Sequence, residues 1–89
     1  QKNHVVTLTA NGDTVASSTF FSVTKVTFRE YGNTDAEATL QVDSDNTNFI
    51  ACTLTAKELK QFDFSVPIPV NGLKLVVYSG TVVVKVYFV

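Results

Sequence analysis

Turn-forming clusters recur along this chain too closely to leave room for helices of ordinary length. They are Asn11-Gly12-Asp13, Gly32-Asn33-Thr34-Asp35, Asp43-Ser44-Asp45-Asn46, the stretch 67–72 with both prolines, and Ser79-Gly80. Each supplies the positive-φ or side-chain-to-backbone chemistry that a reversal needs. Between them lie seven runs of strand length, at 4–9, 20–30, 37–42, 47–54, 60–66, 73–78 and 81–89, a spacing that predicts a sandwich or barrel. Val (15) and Thr (12) make up 27 of the 89 residues, and β-branched side chains at this density favour strands. Parity within the runs agrees. Ala38, Leu40 and Val42 alternate with Glu37, Thr39 and Gln41; Ile50, Cys52 and Leu54 share a face; Phe62, Phe64 and Val66 oppose Gln61, Asp63 and Ser65; Val26 and Phe28 point inward. The fold expected is all-β, a single small β-sandwich of about seven to eight antiparallel strands, either jelly-roll-like or an immunoglobulin-like Greek key. Only Thr55-Ala56-Lys57-Glu58 resembles a capping box, enough for one helical turn at most. Pro67 and Pro69 lack ladder donors, so their segment is expected to cross between two sheets rather than pair as a central strand.

A chain of 89 residues has room for one domain, 1–89, within which 1–20 reads as an N-terminal arm or edge strands. Apolar residues make up 45% and charged ones 17%, which excludes the composition of disorder, and no run reaches the 18 or so apolar residues of a spanning helix. Seven basic against eight acidic groups give a net charge of -1, so neither nucleic acid nor an anionic membrane is an expected partner. The first four residues hold no apolar leader, and the lone Cys52 closes no intramolecular disulfide. A domain of this size buries roughly 60% of its unfolded surface, so association with other chains is a physical expectation.

The last two runs read as a hairpin closed by Ser79-Gly80, with Leu73, Leu75, Val77, Val82, Val84, Val86 and Phe88 inward. Its other face is apolar as well. Left open to water it would aggregate. Either an N-terminal strand or loop of the same chain covers it, or a neighbouring subunit does; in the second case Val76, Tyr78, Val83 and Tyr87 are interface residues.

Few residues suggest chemistry. His4, the single histidine, has no second ligand to complete a metal shell, and Cys52 lies on the core face, where a thiol packs as a small hydrophobe. No serine sits in a nucleophile-elbow setting, so no catalytic residue is assigned and the chain is read as non-enzymatic. Asp43, Asp45 and Asn46 are weak candidates for calcium, but Asn48 and Leu54 stand where a helix-loop-helix calcium loop requires Gly and an acid. Glu30, Asp35 and Glu37 read as exposed, solvating carboxylates, and Arg29, the only arginine, as a residue of the wet face. No metal and no cofactor is expected.

From about Phe21 onward the chain shows a recurrent order of features. These are Val26-Thr27-Phe28, then Ala38-Thr39-Leu40-Gln41-Val42-Asp43 with the polar Ser44-Asp45-Asn46-Thr47 loop, the Ile50 strand, Phe62-Asp63-Phe64, the stretch 67–71, Gly72-Leu73-Lys74-Leu75-Val76, and Val84-Lys85-Val86-Tyr87. This layout resembles small β-sandwich virion structural proteins of tailed bacteriophages, with Asn71-Gly72-Leu73 its most distinctive corner; residues 1–20 carry none of the match. The resemblance implies a capsid decoration or cement protein that binds the head shell, with a neck, tail or fibre component as the alternative. Its implied partners are the major capsid protein or other virion proteins and further copies of itself, a trimer being favoured. Its implied location is the virion, assembled in the bacterial host cytoplasm. A small ligand- or carbohydrate-binding β module is the alternative of another class.

Overall fold

A computed structural model describes residues 4–43 and 46–89, with 16–20 described by their backbone alone. The chain forms six strands: β1 (His4–Leu8), β2 (Thr14–Glu30), β3 (Ala36–Val42), β4 (Asn48–Leu54), β5 (Leu59–Ser79) and β6 (Val82–Phe88). They pair antiparallel in the order β1-β6-β2-β5-β3-β4. β2 and β5 are 17 and 21 residues long, too long for one layer of so small a domain, and both bend.

The bends coincide with breaks in register. Val23 pairs with Ile68 and Lys25 with Asp63, so Thr24 alone faces the four residues 64–67 of β5. Further along, Val15 pairs with Leu73 and Phe20 with Asn71, so residues 16–19 of β2 face Gly72 alone, whose φ of 73° lies in the region glycine tolerates. Bulges of this kind turn a strand from one sheet into another. One layer therefore holds β1, β6, the second half of β2 and the first half of β5; the other holds the first half of β2, the second half of β5, β3 and β4. With the two bent strands counted twice, chain order gives 1-8-3-6 and 2-7-4-5, the connectivity of a jelly roll. This decides between the two sandwiches expected. Pro67 and Pro69 sit where β5 passes between layers, and there β5 has a partner on one side only, which is why the missing donors are tolerated.

A single apolar cluster fills the space between the layers. Val23, Val26, Phe28, Ala38, Leu40, Leu73, Leu75, Val84 and Val86 are completely buried, and Phe28 meets Phe62 edge-on at 5.9 Å. The extra residue Thr24, whose hydroxyl donates to the Tyr87 carbonyl at 3.1 Å, lets Val23 and Val26 both face inward. Two expectations are corrected. Val66 is 73% exposed, because it lies in the four-residue bulge, where the alternation that packs Phe62 against the core is broken. The 73–78 and 81–89 runs do not form a hairpin: β6 pairs with β1 and β2, and 79–81 carries the chain from one layer to the other. β1 pairs along one edge of β6 and leaves the outer faces of both strands uncovered. The capping-box pattern also occurs without a helix, with Thr55 N–H donating to Glu58 Oε1 at 2.9 Å across a plain turn.

Glu30, expected in solvent, is fully buried. It continues the inward parity of Val26 and Phe28 to the end of β2. Its Oε2 accepts the Gly32 N–H at 2.6 Å, and its Oε1 accepts those of Asn33 at 2.8 Å and Lys57 at 3.1 Å. One carboxylate thus ties together the loop after β2 and the turn before β5.

Candidate functional site

The outer face of the first layer is the most differentiated surface of the molecule. Strand register sets its side chains in rows: Val5, Tyr87, Lys25 and Asp63; then Thr7, Lys85, Thr27 and Gln61; then Val83, Arg29 and Leu59. Successive rows are about 6.6 Å apart, and neighbouring strands about 4.8 Å. Lys25, Lys85 and Arg29, three of the seven basic residues of the chain, therefore form a triangle around Thr27. Lys25 Nζ lies 4.3 Å over the ring of Tyr87, and Arg29 Cζ 5.3 Å from that of Tyr31. Asp63, the acid at the margin, accepts from Gln61 Nε2 at 2.9 Å. Among the described residues none of the three cations is paired with a carboxylate. A shallow depression of about 250 Å³ runs between these side chains and Leu59, and Val5, Tyr31 and Leu59 each leave about half of their surface in solvent. Open, flat and mixed cationic-aromatic, this face is suited to contact with another surface.

The four residues read as an interface are divided by the jelly roll. Val83 and Tyr87 lie half-buried on this face, whereas Val76 and Tyr78 lie on the outer side of the second layer. Tyr78 is the extra residue where β5 pairs with β3 between Glu37 and Ala38, and is 59% exposed. The sequence signal for the cationic face was present in the parity of Lys25, Thr27 and Arg29. What it lacked was the long-range pairing that sets Lys85 beside them.

Of the calcium candidates, Asn46 holds a φ of 59° and its Oδ1 accepts from Lys74 Nζ at 2.8 Å. The Asp43 N–H donates to the Gly72 carbonyl at 3.1 Å, and Asp45 lies outside the described residues. His4 is exposed and stacks on Phe88 at 5.4 Å. Among the described residues no group of three metal-ligating side chains comes together. Cys52 is buried, and burial pushes its thiol up, against a smaller opposing effect of the Lys60 charge. Iodoacetamide at pH 8 is accordingly expected to label the native thiol at least about tenfold more slowly than the urea-unfolded one; equal rates would place Cys52 in solvent.

No family model matches the sequence, and no curated protein matches it. Solved structures do. The Drosophila NLP core, whose structure was described for its pentamer formation and histone binding, is similar at a TM-score of 0.60 and 16% identity, over 100% of this chain and 97% of that one. PirA is similar at 0.54 and 11% identity, over 98% and 93%. A chain of the T13 IBDV viral particle gives 0.36 at 17% identity, over 100% of this chain and 31% of its own length. The first two show a shared fold.

Proposed function

We propose that this domain is a non-enzymatic structural subunit that assembles with further copies of itself, and that its place is in a virion, where it decorates a tailed-phage capsid. The observation that carries the reading is the outer face of the first layer, which combines exposed Val5, Tyr31 and Leu59 with Arg29 and Tyr87. Interfaces are enriched in arginine and aromatic residues, and a monomer gains nothing by displaying them together. The NLP core, of the same fold, is described as forming a pentamer, which supports the use of this jelly roll as a repeating unit. The virion assignment is supported by the order of motifs from Phe21 onward. If folding and assembly are coupled, the melting temperature rises with protein concentration by mass action. Raising the concentration about a hundredfold is expected to move the calorimetric midpoint upward by several degrees; an invariant midpoint would contradict assembly.

A further inference from the structure

Resting on that reading, we infer that the cationic face of one copy receives the acidic corner of the next, so that the assembly is head-to-tail. The occupant is a second copy of this chain, because the chain itself carries the complementary surface. Asp35, Glu37 and Glu58 line a depression of about 550 Å³ beside the ends of β3 and β4. Asp35 and Glu37 are exposed and have no side-chain partner among the described residues. Glu58 takes the Thr55 N–H and hydroxyl with one oxygen, Oε1. Lys60, the cation in this depression, donates to the Thr53 carbonyl at 2.7 Å and offsets one of the three acidic charges, leaving an acidic surplus. Three cations without a carboxylate partner among the described residues on one surface, and an acidic surplus on another, in a chain of net charge -1, make the two surfaces complementary between subunits. Electrostatic complementarity of this kind fixes register and excludes like-to-like contacts. Where a copy gives its cationic face to one neighbour and its acidic corner to another, the contact is heterologous, and it propagates until a ring closes. The aromatic and aliphatic residues around the cations, Tyr31, Leu59 and Tyr87, supply the apolar part of the contact.

Charge reversal tests the pairing. Arg29→Glu with Lys85→Glu makes one variant whose two surfaces are both acidic, and Asp35→Lys with Glu37→Lys makes another whose surfaces are both basic. All four positions except Lys85 and Arg29 lie off the cationic face, and all four are exposed, so circular dichroism is expected to show wild-type folding. Each variant alone is expected to associate about a hundredfold more weakly than wild type, the effect of like charges brought together. Mixed in equal amounts, the two restore both contacts in alternation and are expected to sediment as assemblies containing both. Variants that assemble like wild type, or a mixture that stays as dispersed as its parts, would overturn the pairing while leaving self-assembly intact. A wild-type chain that is monomeric removes the reading on which the inference rests. If that monomer instead binds polyglutamate or an oligo-dT strand through Arg29 and Lys85, the face takes a polyanion and the inference is likewise overturned.

Discussion

Glu30→Ala is expected to lower the melting temperature by on the order of 10 °C or more. The carboxylate is fully buried and accepts backbone N–H groups from Gly32, Asn33 and Lys57, with Thr81 as a fourth donor. Alanine removes the shared acceptor of these part-buried donors at once, and each donor left unsatisfied costs more than its bond contributed. Glu30→Gln keeps the shape but turns an amide NH₂ toward N–H donors, so it too is destabilising. The same group gives the protein an acid limb. Burial pushes the Glu30 carboxyl up, but the donors of Lys57, Gly32, Thr81 and Asn33 together outweigh it and hold it below its ordinary 4.5. A carboxyl lowered on folding contributes stability that is whole above the ordinary value and is lost as pH falls through the folded one. Asp13, held down by the N–H groups of Ala10 and Thr9, and Glu58, held down by that of Thr55, act in the same direction. Thermal melts between pH 3 and pH 8 are therefore expected to show wild type losing stability below about 4.5, with Glu30→Gln starting lower and falling less steeply. Parallel curves for the two proteins would mean that Glu30 does not hold its loops through charge.

Gly80→Ala is expected to cost roughly 2–5 kcal/mol. Gly80 has a φ of 78°, and a Cβ there would stand 2.5 Å from Ala36 Cβ and 2.9 Å from Ala36 Cα. Backbone is in the way, so a rotamer change gives no relief. Gly12 supplies the control, with a φ of 93° and nothing within 4 Å of its Cβ. Gly12→Ala pays the left-handed conformation alone, about 1–2 kcal/mol. Urea titration of both variants separates the two costs: a larger loss at Gly80 marks the close approach of the 79–81 crossing to β3, whereas equal losses would remove it.

That crossing also shows what the sequence could not carry. Ser79-Gly80 between two valine-rich runs has the composition of a hairpin turn, and a glycine with positive φ serves a hairpin and an inter-layer crossing equally well. Only pairing across the whole chain, β6 with β2 and β1, separates the two. Local parity fared better, because burial on one face imposes it directly: Ala38, Leu40, Cys52, Leu54, Val26 and Phe28 are all in the core. It failed at Val66, where a bulge broke the period. Glu30 was misplaced for a different reason. Parity pointed it inward, but a carboxylate is normally solvated, and beside the nearby Gly32 and Asn33 two of the backbone donors that satisfy this one, Lys57 and Thr81, are distant in sequence. The cationic face was legible strand by strand and became a site only when β6 and β2 were set side by side.

Self-assembly through that face is tested most directly by the solution mass from light scattering, measured at physiological salt over about a hundredfold range of concentration. A mass that is a whole multiple of 9.7 kDa, stable toward the upper end and falling on dilution or in high salt, is the result expected of a closed assembly held by charged and aromatic contacts. A single-chain mass at every concentration would contradict it.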